Sequence, residues 1–157
     1  NAAQYPLSVV AANERAANLY RKGTYGNTMT TNPRALDVAC ATLAQLTPQV
    51  RENIRKRGVE AVQKLQQLQA ELGGLITNVQ GTGLLFSCEL SPVFKCYGAG
   101  STEEWLRQHG LNVIHGGANS LRFTPHFAMD AEELDLLVGM VGKALREGPR
   151  ISQAAAA

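Results

Sequence analysis

A polar segment, Tyr25-Gly26-Asn27-Thr28-Met29-Thr30-Thr31-Asn32-Pro33, runs straight into an apolar-periodic stretch that starts at Ala35. Hydroxyls and amides set before the first turn of a helix can serve an anion. The first helical N–H groups have no internal partner and carry partial positive charge. Asn32 is suited to cap such a helix, and Pro33 fits its first turn, where a missing N–H costs nothing. The chemistry on offer is phosphate binding; the alternative is a capped surface helix behind a polar loop. Cys40, Cys88 and Cys96 show no Cys-x-x-Cys spacing and are read as reduced thiols. Cys40 falls on a helical stripe and Cys88 on an apolar strand face, so both are expected in a core. Cys96 falls in a loop and is expected to be the most exposed. His109, His115 and His126 lack the spacing of a metal site, so no metal is expected.

Regular elements must hold these residues in place. Residues 7–12 read as a strand, and residues 14–20 as a short helix capped by Asn13. A long helix is expected over 34–46, with Leu36, Cys40, Leu43 and Leu46 at helical spacing. Thr47-Pro48 restarts a second helix whose apolar face holds Ile54, Val62, Leu65, Leu68 and Leu72, and Gly73-Gly74 ends it. Residues 75–80 and 84–90 flank Gly81-Thr82-Gly83 and read as a hairpin. In its second strand Leu84, Phe86, Cys88 and Leu90 share one face toward a core.

Ser101-Thr102-Glu103-Glu104 has the spacing of a capping box and opens a short helix ending at Gly110. Two further strands, 111–115 and 120–124, surround Gly116-Gly117-Ala118-Asn119. Asp130-Ala131-Glu132-Glu133 is a second capping box, and the helix behind it carries Leu134, Leu137, Val138, Val141 and Leu145 on one side. Gly139 and Gly142 weaken that helix by about 1 kcal/mol each against alanine. The order of elements gives an α+β layer, with helices on one face of a small, mainly antiparallel sheet.

Composition bounds the function. The 157 residues suffice for one domain that buries roughly two thirds of its unfolded surface. Apolar content of 45% and charged content of 18% are ordinary for a globular chain. A net charge of +2, scattered along the chain, argues for neither nucleic acid nor an anionic membrane as partner. No apolar run is long enough to span a bilayer.

Several of these stretches together resemble the class III aminotransferases, which have the type I fold and use pyridoxal 5'-phosphate. Gly26-Asn27-Thr28 followed by Asn32-Pro33 is similar to that family's H-G-x-T-x-x-G-N-P. Tyr5-Pro6-Leu7-Ser8-Val9-Val10 resembles G-G-Y-P-L-G-A-V. Gly81-Thr82-Gly83-Leu84-Leu85-Phe86 resembles the hairpin R-G-x-G-L-M-x-G, and Leu121-Arg122-Phe123-Thr124-Pro125 resembles L-R-x-x-P-P. The resemblance runs from about Tyr5 to about Leu145. It departs from the family pattern at Thr31, which replaces a glycine after a second threonine, Thr30, and at His126, which replaces a proline.

The resemblance implies a set of roles. The family's Schiff-base lysine precedes the Tyr-Pro-Leu segment, so it would fall before Asn1, and none of Lys22, Lys56, Lys64, Lys95 and Lys143 matches it. The chain is therefore read as the C-terminal part of such an enzyme. Residues 1–32 would be a remnant of the large cofactor-binding domain, 33–150 the small domain, and 151–157 a low-complexity tail. Thr28, with Asn27 beside it, would bind the cofactor phosphate across a homodimer interface, with Met29 near the substrate entrance. Arg122 would hold the carboxylate of a substrate or, as in some members of the family, pair with a glutamate and act as a gate; the plain alternative is a strand arginine paired with a surface acid. His126 would line the entrance or stay silent. The implied reaction moves an amino group from an amino donor to an oxo acid or aldehyde, in the cytoplasm, with no part for nucleic acid or membrane. The alternatives are a non-catalytic module for dimerisation or ligand binding, or an aminomutase or decarboxylase of the same fold.

Overall fold

The structure, a computed structural model, describes Tyr5, residues 7–24, Gly26 and residues 32–151. The chain forms two compact units, residues 1–47 and residues 48–157.

In the first unit, helix α1 covers Glu14–Ala17, with the Asn13 side chain accepting from the Ala16 N–H at 3.0 Å. Helix α2 covers Pro33–Gln45. Asn32 caps it as expected, its Oδ1 accepting the Arg34 N–H at 3.0 Å, and Pro33 opens its first turn. Two expectations fail in this unit. Residues 7–12 are not a strand: they are irregular, exposed beyond the half-buried Leu7, and no strand among the described residues pairs with them. An extended apolar run becomes a strand only where another strand satisfies its backbone. The α2 stripe is also open, with Leu36 41% and Leu43 64% exposed, and Cys40 is exposed rather than in a core. Periodicity reports which residues share a face, not whether anything covers that face.

The second unit is built on one four-stranded sheet. Helix α3, Pro48–Glu71, leads through Gly73 and Gly74, both at positive φ, into β1, Ile76–Thr82. Strand β2, Leu85–Leu90, returns antiparallel across the Gly83-Leu84 turn. Helix α4, Thr102–Gln108, precedes β3, Ile114–Gly116, and β4, Ser120–Phe123, and helix α5, Ala131–Glu147, closes the unit. The strand order is β1-β2-β4-β3 and every pairing is antiparallel.

One face of this sheet is the core. Leu84, Phe86, Cys88 and Leu90 are all buried, as are Leu121 and Phe123 of β4. The rings of the paired residues Phe86 and Phe123 stack at 5.2 Å. Leu65 and Leu68 of α3, and Leu134, Leu137, Val141 and Leu145 of α5, complete the same cluster. Asp130 opens α5 with both bonds of a capping box. At α4 only half of the box forms: Ser101 Oγ accepts from the Glu104 N–H, but Glu104 reaches back to the Gly100 N–H at 2.6 Å.

Glycine sets the close approaches. A β-carbon on Gly58 of α3 would lie 2.6 Å from the Gly83 carbonyl carbon, and one on Gly81 would lie 2.9 Å from Val62. Gly142 of α5 faces Leu68 of α3, where a β-carbon would stand 3.1 Å from a leucine methyl. The helices can thus sit close to the hairpin and to each other, which repays the helix propensity that glycine forfeits.

Cys96 is buried, contrary to its loop position. The loop is drawn inward by named bonds. Asn119 Oδ1 accepts from the Cys96 N–H at 2.9 Å, and the Cys96 carbonyl accepts from the Glu103 N–H at 3.1 Å. Asn119 Nδ2 donates to the carbonyls of Leu90, Ser91 and Phe94. Residues 152–157, the expected tail, lie outside the described residues; Ile151 donates its N–H to the Val93 carbonyl at 2.8 Å.

Candidate functional site

The face of the sheet opposite the core is open, and Arg122 stands on it. Side chains alternate along β4, so Leu121 and Phe123 go into the core and Arg122 goes out. The register places Ser87 of β2 and Ile114 of β3 on either side of Arg122, and Gln80 of β1 beyond Ser87. Residues directly opposite in an antiparallel pair share a face, so these four form one row across the sheet.

Two concavities meet at Arg122. One, of about 360 Å³, lies over β1 and β2 and is lined by Gln80, Thr82, Leu85, Ser87 and Arg122 among others. The second, of about 440 Å³, lies toward α5 and includes Ile114, Thr124, Met129 and Leu136. Asn53 of α3 fixes the loop at the edge of the second, donating to the carbonyls of Phe127 and Met129 at 2.9 Å each. His126 is exposed, with Nε2 3.4 Å from Glu133 Oε1.

Among the described residues the Arg122 guanidinium has no hydrogen-bond or ion-pair partner. Glu89, an acid on the same face, pairs in register with Asn78 and Ser120 and forms no ion pair with it. The bland expectation for a strand arginine, a bridge to a surface acid, is therefore not met. A planar guanidinium with its donors free can take a carboxylate in a two-pronged pair.

The helix start singled out in the sequence is only partly described. Thr28 and Asn27, with Met29, Thr30 and Thr31, lie outside the described residues. At the described part, Pro33 has no N–H and Asn32 consumes that of Arg34. The helix start alone does not supply the several donors that a phosphate dianion needs.

One charged cluster was not visible in the sequence. Glu103, buried in the first turn of α4, accepts from Arg107 at 2.6 Å and lies 2.9 Å from His115 Nδ1. Tyr97 rests against the His115 ring at 4.0 Å. The four-residue spacing of Glu103 and Arg107 is a helical pair that sequence reading can find. His115 arrives from β3, and only the fold brings it there. The cluster ties α4 to the outer strand.

The chain matches the family model for "Aminotransferase class-III" over residues 2–145. It is 28% identical over 131 residues to the acetylornithine aminotransferase of Xylella fastidiosa (strain Temecula1), covering 83% of this chain and 32% of that protein. It is 32% identical over 133 residues to the acetylornithine aminotransferase of Neisseria meningitidis serogroup A, covering 82% and 32%. Among solved structures, the acetylornithine aminotransferase of Elizabethkingia anophelis superposes with a TM-score of 0.68 at 26% identity, over 87% of this chain and 36% of that one. The chain thus spans about a third of the length of the curated relatives it matches. The matched region takes in both the hairpin at Gly81-Thr82-Gly83 and the strand that carries Arg122. The family depends on pyridoxal phosphate. From its sequence motifs, its sheet and its relatives, the chain belongs to the class III aminotransferases.

Proposed function

We propose that the complete protein is an aminotransferase of the acetylornithine and ornithine type, and that this chain supplies its small domain. Residues 1–32 belong on this reading to the large domain and 33–150 to the small one. Arg122 holds the carboxylate of an amino donor or oxo acid, and so fixes where the reacting group lies. Thr28 and Asn27 hold the cofactor phosphate, shared across a homodimer, and the lysine that carries the cofactor belongs to a preceding segment. Pyridoxal phosphate, when bound, supplies the electron sink for the exchange of the amino group. A cytoplasmic setting suits reduced thiols at Cys40, Cys88 and Cys96.

The observation that carries this reading is the guanidinium of Arg122, free of partners on an open sheet face. Arg122 is exposed and unpaired among the described residues, so its donors are available to a ligand. The test is Arg122→Lys in the complete, cofactor-loaded protein. Lysine keeps the charge and loses the planar fork. The expected result is a rate loss of about tenfold or more with carboxylate-bearing substrates, and little change with a simple amine or aldehyde that lacks a carboxylate. Equal losses for both classes, with a lower melting temperature, would show Arg122 to be structural.

A further inference from the structure

We propose that Ser87 is a second donor to the carboxylate that Arg122 binds, and that the carboxylate lies over β2 rather than over β3. The inference rests on the reading of Arg122 given above and adds a residue and a direction to it.

The argument comes from the register. Arg122 has two cross-strand neighbours on the open face, Ser87 on one side and Ile114 on the other. Side chains in such pairs have β-carbons about 5 Å apart, within reach of a group bound between them. A carboxylate accepts about four hydrogen bonds, and a guanidinium edge satisfies only part of that capacity. On the β3 side Ile114 offers no donor and would take water away from the remaining lone pairs. On the β2 side the Ser87 hydroxyl can donate. Beyond it stand the Gln80 amide and, at the rim, the Thr82 hydroxyl.

The groove on that side has the matching shape. It is a concavity of about 360 Å³ with Ser87 in its wall, Arg122 at one edge and the β1–β2 turn at the other. No acidic side chain lines it, so nothing in it opposes an anion. The concavity on the other side of Arg122 has Asn112 and Thr124 among its apolar side chains, and it includes Glu133. A carboxylate there would meet a like charge. The side without an acid in its lining therefore takes the carboxylate.

Ser87 has no role in the core. It is half-buried between Phe86 and Cys88, both of which face the other way. Removing its hydroxyl leaves the packed face untouched, so a stability change is not expected. That separates a binding role from a structural one.

The test uses the complete, cofactor-loaded protein with three variants: Ser87→Ala, Ser87→Thr and Arg122→Lys. Each is assayed with a carboxylate-bearing oxo acid and with an aldehyde that lacks a carboxylate. The expected result for Ser87→Ala is a rise of about fivefold to tenfold in KM for the oxo acid. Its kcat should change less than twofold, with no change for the aldehyde and an unchanged melting temperature. Ser87→Thr keeps the hydroxyl and should recover most of the lost affinity. If Arg122→Lys discriminates between the two substrates and Ser87→Ala does not, the carboxylate anchor stands and the Ser87 inference is overturned. If Arg122→Lys fails to discriminate, the anchor reading falls first and this inference falls with it. Equal effects of Ser87→Ala on both substrates would also overturn it.

Discussion

Gly58, in the middle of α3, lies against the backbone of Gly83, in the turn between β1 and β2. A β-carbon at residue 58 would stand 2.6 Å from the Gly83 carbonyl carbon and 2.7 Å from its α-carbon. Neither partner is a side chain that can rotate away, so the contact fixes how far the hairpin stands from the helix. The same turn borders the groove that holds Ser87 and Arg122.

Gly58→Ala is therefore expected to destabilise the protein although alanine is the better helix former. Propensity returns about 1 kcal/mol, while the backbone overlap costs more, leaving a net loss of about 2 kcal/mol. Chemical denaturation checks this. Gly139→Ala on α5 is the control, since nothing lies within 4 Å of a β-carbon there, and it should be neutral or stabilising.

The thiols should divide by burial. Burial, with Cys96 beside it as a lesser cause, pushes the Cys88 thiol up to about 12. Burial, with the charge of Glu103 as a lesser cause, pushes Cys96 up to about 11. Only the thiolate reacts, so iodoacetamide at pH 8 should label exposed Cys40 quickly and leave Cys88 and Cys96 untouched until the protein unfolds. Mass spectrometry of the native and denatured protein reads the difference. The same shifts fix a sign for stability. Above pH 9 the unfolded chain loses these protons and the folded one keeps them. Stability is therefore complete below pH 9 and falls as pH rises from 9 toward about 11 to 12.

Asn119 offers a third test. Its Nδ2 donates to three carbonyls at 3.1 to 3.2 Å, and its Oδ1 accepts from the Cys96 N–H. Asn119→Asp preserves the shape and turns the donating end into an acceptor facing carbonyls. It should cost about 3 kcal/mol or more, and more than Asn119→Ala, which removes the side chain without adding a charge. The carboxyl introduced would hold its proton more tightly in the folded state than in the unfolded one. The deficit of Asn119→Asp should then shrink as the pH falls toward about 4, the ordinary value for an aspartate, and change no further below it, which urea midpoints across pH can show.

Much of this arrangement is legible in the chain, and the limits are physical. Period-two alternation in residues 84–90 gives the buried face of β2 without further help, and Asp130 with Glu133 announces the start of α5. Arg122 is found through the motif around it. Its isolation is not, because the absence of an acid is a property of register, which sets Ser87 and Ile114 beside it. Residues 7–12 mislead because a strand is made by its neighbour. Cys40 misleads because a stripe says nothing of its cover, and Cys96 because Asn119, twenty-three residues on, pulls its loop inward.

The two-sided sheet has a consequence for how such a protein can change. Along β2 and β4, one set of alternate residues answers to stability, and the other stands on the open face that is proposed to bind substrate. Replacing Phe86, Cys88 or Leu121 disturbs packing shared by three helices and both strands. Replacing Ser87 or Arg122 alters the chemistry of a surface that the fold does not need. A lineage can therefore explore new ligands by single steps along the open rows without first passing through an unfolded ancestor. A saturation scan of residues 85–90 and 120–123 would record this as two waves of period two, one in abundance and one in activity, running out of phase.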